Sequence, residues 1–213
     1  MRTEDLIASL TADAKRSARR PAPTILPAAL AGTLLAVVVF AVLVGKIRPD
    51  IAGAVGEIRF LLKFAVTLSL AGAAYAVLRE SAYPEGVHRR RLLVLAVPAV
   101  VVLSCVAFEL AALPADAVTR SLVGSNSVAC LVNVSLMGIG PLGLFVLALR
   151  RAAPAHPALS GIAAGLLAGA IAATVYAAYC PDDSPLFVAT WYLLAIGGLA
   201  ALGAATARVV ARW

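Results

Sequence analysis

The residues best suited to chemistry in this sequence are its three cysteines, Cys105, Cys130 and Cys180. Thiolates are soft metal ligands, and exposed thiols oxidise reversibly. Cys105 falls inside an apolar run and reads as a small core residue. Cys130 lies near the start of one apolar run and Cys180 just past the end of the next, so antiparallel packing would bring them to one level. Two readings stay open. A disulfide would close a loop of about 50 residues and add roughly 4 kcal/mol in the chain-entropy model, provided the Cα atoms approach within about 7 Å. The other reading is a reactive or metal-binding thiol pair, with a heavy-metal ion at Cys130 and Cys180 and no other cofactor indicated. Asp182 and Asp183 would help to hold a cation there while raising the thiol pKa. No CxxC motif is present, which speaks against a thioredoxin-like or quinone-linked disulfide-generating enzyme.

Two charged residues, Lys63 and Glu109, fall about one turn inside apolar runs. A direct Lys63–Glu109 pair would offset the cost of burying each alone. The alternatives are a proton or ion path, or Lys63 snorkelling outward. No nucleophile, base and orienter occur together, His88 and His156 sit in short basic connections, and neither a phosphate-cradling glycine loop nor zinc-ligand spacing is found. The chain therefore reads as a non-enzyme.

The elements that must position these residues follow from composition. Of 213 residues, 62% are hydrophobic and 14% charged, and the mean hydropathy is +0.96. A soluble domain averages about 25% charged residues, so this chain has too little polar surface to face water. A membrane-spanning helix needs about 20 apolar residues, with every backbone polar group paired within the segment. Six runs qualify, at about 24–45, 58–78, 92–113, 128–149, 158–179 and 187–207, and none alternates as a barrel strand would. The expected fold is all-α: a polytopic six-transmembrane-helix bundle (24–213) behind a short cytoplasmic N-terminal segment (1–23).

Orientation follows from the positive charge. One side collects thirteen of the 18 Lys and Arg residues, including Arg89, Arg90, Arg91, Arg150 and Arg151, and the other side has five. The positive-inside rule then puts both termini in the cytoplasm. The net charge of +7 is thus an orientation signal and not a nucleic-acid footprint. Within the bundle, Gly161, Gly165 and Gly169 recur every four residues and predict close helix packing. Pro98 and Pro141 predict kinks, and Trp191 and Tyr192 read as interfacial anchors.

The segment MRTEDLIASLTADAKRSARR reads as an amphipathic helix. Glu4 and Asp5 sit at its positive end and basic residues at its negative end, while Leu6, Ile7 and Leu10 form an apolar stripe. Either the membrane surface or an acceptor groove on a soluble protein would cover that stripe.

Three stretches resemble one known family: MRTEDLIASL, RRAAPAHPALSGIAAGLLAGA from Arg150 to Ala170, and VYAAYCPDDSPLFVATWY from Val175 to Tyr192. The chain is similar along essentially its whole length to the NrsF-like negative regulators of extracytoplasmic-function sigma factors. The resemblance implies a six-span anti-sigma factor. Its N-terminal segment, through Glu4, Asp5, Leu6, Ile7 and Leu10, would hold a sigma factor at the membrane, without direct nucleic-acid contact. It also implies that Cys130 and Cys180 face the periplasm and respond to oxidants or heavy metals. Many family members carry His directly before the second cysteine; Tyr179 stands there in this chain, which disfavours a His–Cys metal set and leaves thiol oxidation. The competing class is a small transporter or channel, suggested by Lys63, Glu109 and the glycine packing. Neither the sigma factor nor the oligomeric state is legible.

Overall fold

The computed structural model describes residues 3–5, 7, 11, 25–83, 86–152 and 154–210. Every regular element among them is helical. Among the described residues, six helical segments are long and apolar enough to cross a membrane: Ile25–Leu43, Ile58–Ser81, Arg89–Ala112, Ala115–Leu149, Pro157–Ala177 and Pro185–Val210. The main helices of these segments are α1 (Ile25–Leu43), α2 (Ile58–Ser81), α3 (Ala96–Ala112), α4 (Ser127–Leu149), α5 (Pro157–Ala177) and α6 (Leu193–Val210).

Helix α5 is the central post, in contact with α1, α2, α4 and α6. Its sequence, PALSGIAAGLLAGAIAATVYA, explains why. Small side chains on several faces let neighbouring backbones approach from all round, and this replaces the hydrophobic drive that lipid does not supply. A Cβ on Gly161 would meet the Gly203 carbonyl and Ala207, and one on Gly165 would meet Leu199 and the Ala200 backbone. Helix α1 packs on α4 and α5, while α3 packs mainly on α2 and on the turn before α6. The outward rows of α1 and α3, including Leu30, Leu34, Val42, Leu103 and Phe108, are exposed, as lipid-facing rows must be.

The prolines behave differently from each other. Pro141 lies inside α4 and packs against the site of Gly32 on α1. Pro98 is the third residue of α3 and follows a 3-10 turn, Leu93–Leu95, so the chain is already tightened where proline cannot donate. The segment ahead of α4, which carries no span of its own, forms a separate helix, Ala115–Val123, ending at Gly124 with φ +61°.

The six crossings gather the 44–57, 113–126 and 178–186 connections at one end of the bundle. Arg79, Arg89, Arg90, Arg91, Arg150, Arg151 and Arg208 lie at the other. At that arginine-rich end Ser160 Oγ donates to the Ser81 carbonyl at 3.3 Å and Arg91 pairs with Glu80 at 3.2 Å. The first end carries the site.

Candidate functional site: a charged clamp over a thiol pair

The connection from α5 to α6, CPDDS, folds inward over the bundle because nearly every polar group on it finds a partner. Asp183 is the hub. It accepts two hydrogen bonds from Arg48 Nη1, at 2.8 and 3.1 Å, and forms an ion pair with Lys63 Nζ. Lys63 is 1% exposed and also donates to the Cys180 carbonyl at 2.8 Å. Arg48 is buried too, and it holds Asp50 through Nε at 2.8 Å and Nη2 at 2.7 Å. This bidentate contact keeps the Asp50 carboxyl at a pKa of about 2, so it stays ionised in mild acid. Phe60 lies beneath both cations, 5.4 Å from Arg48 and 5.3 Å from Lys63.

Asp182 turns the other way. Its carboxylate accepts from the Ser125 and Asn126 backbone N–H groups at 3.1 and 2.9 Å, just ahead of the first residue of α4. Asn126 in turn donates to the Tyr176 hydroxyl at 2.8 Å. Ser184 Oγ and the Leu186 N–H both donate to Glu109 Oε2 at 2.9 Å, and Arg59 lies 3.7 Å from Oε1. The connection is thus tied to α2, α3 and α4 at once.

The expected direct Lys63–Glu109 pair is therefore corrected. Both side chains are buried, at 1% and 2% exposure, and both reach the same connection, but at different points along it. Asp183 offers Lys63 a carboxylate with two carbonyls nearby, and Ser184 and Leu186 offer Glu109 two donors. A loop that inserts between two antiparallel helices gives each charge more partners than the pair alone would, while Glu109 Oε1 makes no hydrogen bond and faces Arg59 at 3.7 Å.

Cys130 and Cys180 sit just beneath, fully buried in one cluster with Val134, Met137, Tyr176, Phe187 and Tyr192. Both are free thiols. Burial pushes the Cys180 thiol pKa up, against the pull of Lys63. Among the described residues no group of three or more His, Cys, Asp and Glu side chains could hold a metal ion. Cys105 is apart from the pair, half-buried beside a small cavity that Arg59, Lys63 and Asp183 also line.

Reading Tyr192 as an interfacial anchor is corrected as well. A five-residue π-helical turn, Val188–Tyr192, shifts the helical register so that Tyr192 points into the thiol cluster at 1% exposure. Trp191, half-buried, donates to the Leu122 carbonyl at 2.9 Å. Arg48 and Tyr176 were missed by sequence reasoning; Arg48 is legible only as one of few basic residues on its side.

Of the N-terminal residues, Glu4, Asp5 and Ile7 are helical and exposed, Ile7 at 57%. Leu6 and Leu10 lie outside the described residues. Gly161, Gly165 and Gly169 all lie against α6.

The class these features define is an all-helical membrane protein of six spans, with a charged clamp at one end. The chain belongs to the NrsF family, described as negative regulator of sigma F, whose family model matches residues 10–213. It is 33% identical over 220 aligned residues to the anti-sigma-F factor NrsF of Caulobacter vibrioides (strain NA1000 / CB15N), covering 100% of both chains. It is 32% identical over 221 residues to a probable anti-sigma-F factor NrsF of Azospira oryzae (strain ATCC BAA-33 / DSM 13638 / PS), again covering 100% of both. No solved structure matches the chain.

Proposed function

We propose that this chain is a membrane-bound anti-sigma factor that sequesters an extracytoplasmic-function sigma factor and releases it under oxidative or heavy-metal stress. The observation that carries the reading is the full-length relationship to an anti-sigma-F factor and to a probable one. Both termini are cytoplasmic in this proposal, and the exposed Ile7 belongs to the stripe that docks the sigma factor.

Cys130 and Cys180 are the sensor in the periplasm. An oxidant such as a hydroperoxide takes two electrons from the two thiols. The S–S bond forms, the O–O bond breaks, and the two thiol protons leave with the oxygen products. A soft metal ion would instead replace the protons on both sulfurs. Either event acts on the backbone of Cys180, whose carbonyl is held by Lys63 of α2. Helix α2 runs from there to Glu80 at the arginine-rich end. The clamp is what supports transmission: a changed thiol pair alters the partner of a buried cation on a helix that crosses the bundle. A shift in sigma affinity then requires that the two bundle states bind the sigma factor differently.

Cys130→Ser and Cys180→Ser are each expected to abolish induction of a sigma-dependent reporter by hydroperoxide and by cadmium, while uninduced repression is kept. Parent-like induction in both variants would remove the thiol half of the reading.

A further inference from the structure

The arginine-rich end of the bundle carries a groove that the thiol switch does not use. Helices α1 and α4 touch where Pro141 packs at the site of Gly32. On the arginine side of that contact they leave a groove of about 590 Å³, walled by Pro27, Ala28 and Ala31 of α1 and by Leu144, Leu147 and Ala148 of α4. The short alanine side chains of α1 do not fill it. Pro27, Ala31 and Leu147 are exposed, so the groove opens sideways, to where lipid lies. Arg150 and Arg151 line it at its outer end. Helical spacing puts them there, since Leu144, Leu147, Ala148 and Arg151 stand at i, i+3, i+4 and i+7, one face of α4 carried into the turn that ends it. Leu144 therefore lies more than one turn deeper than the arginines. Among the described residues neither guanidinium finds an acceptor, whereas Arg91 at the same end is paired with Glu80.

We propose that this groove is a binding site for an anionic phospholipid of the leaflet at the arginine-rich end, with an acyl chain along Ala31, Leu144 and Leu147 and the headgroup phosphate on Arg150 and Arg151. Each part of the site calls for one part of such a ligand. Apolar walls reaching to membrane depth take a hydrocarbon tail, and two guanidinium groups without acidic partners take an anion, which their forked N–H donors match in geometry. Basic pockets between membrane helices recognise lipid headgroups in this way. A free phosphate makes no use of the apolar walls, and a soluble protein does not reach Leu144. A zwitterionic lipid brings the same phosphate with a compensating cation, so the two arginines favour a lipid of net negative charge. The site stands independently of the sensor and sigma-factor readings.

The test is native mass spectrometry of the full chain in detergent, titrated with dioleoylphosphatidylglycerol or dioleoylphosphatidylcholine. Phosphatidylglycerol is expected to be retained the more tightly; equal retention of the two overturns the site. Arg150→Gln with Arg151→Gln should weaken phosphatidylglycerol binding about 25-fold, each arginine being worth about fivefold, and leave phosphatidylcholine unaffected. Arg89→Gln with Arg90→Gln removes the same charge from the same end without touching the groove, so it should cost about twofold or less, through long-range charge that salt screens. Equal losses in the two double variants would mean surface charge alone and overturn the site. Ala31→Phe enters the groove from an exposed position and keeps both arginines; it should weaken binding about tenfold, the exclusion of about two methylenes. Unchanged binding in that variant overturns the site, as does displacement of the lipid by glycerol 1-phosphate, which carries the phosphate without the tails. A full chain that retains no phosphatidylglycerol also overturns it, whether a second copy is seen in its place or binding appears only once residues 1–20 are removed.

Discussion

Asp183→Leu is expected to destabilise the bundle by about 3 kcal/mol, the lower end of the roughly 3–5 kcal/mol lost when one partner of a buried ion pair is removed. Asp183 itself is 20% exposed, which places the effect at the lower end, but the cations it leaves behind are buried. Arg48 keeps Asp50, while Lys63 keeps the Cys180 and Asp182 carbonyls, at 2.8 and 3.5 Å, and the Phe60 ring, but no carboxylate. Lys63→Met removes charge and desolvation cost together and leaves Asp183 on Arg48, so it should cost much less. The double variant is the decisive arm. Lys63→Met placed on Asp183→Leu should recover most of the loss, because a buried pair replaced by apolar groups is often close to neutral. Reversible unfolding in mixed micelles reads all three. A double variant as unstable as Asp183→Leu would mean that Asp183 acts through something other than the buried ammonium.

The second large effect lies at the α5–α6 crossing. Gly165→Val should cost about 3 kcal/mol, the top of the roughly 1–3 kcal/mol range for overpacking. The neighbours of the new Cβ would be the Leu199 carbonyl oxygen and the Ala200 backbone, which cannot rotate away as a side chain can. Gly197→Ala on α6 is the control. Nothing lies within 4 Å of its Cβ position, so the substitution should stabilise by about 0.5–1 kcal/mol through helix propensity. The same unfolding assay checks both, and equal effects would contradict the close α5–α6 contact.

The spans were legible from sequence because lipid imposes a length and an apolar composition that few other structures share. Their ends differ from expectation by a few residues, as at Ile58–Ser81, where an apolar run continues into polar residues as helix. The Ala115–Val123 helix was not legible as a span and carries too little apolar sequence to be one. Depth was legible too: Lys63, Glu109, Cys130 and Cys180 all lie near one end of the bundle. Direction round each helix was not. Lys63 and Glu109 share a level, yet the partner of each comes from a connection more than seventy residues further along the chain. No periodicity encodes such a contact. Tyr192 shows the same limit, since a π-helical turn breaks the 3.6-residue register on which inward and outward faces are read.

The central claim, a bundle that holds a sigma factor at the membrane through its N-terminal segment, is tested most directly by affinity capture. The full chain and a variant lacking residues 1–20 would each be extracted in detergent from cells in which the chain is native, and the retained proteins identified by mass spectrometry. A sigma factor retained by the full chain and lost from the shortened one is the predicted result. A full chain that is captured intact and retains no sigma factor would contradict the account.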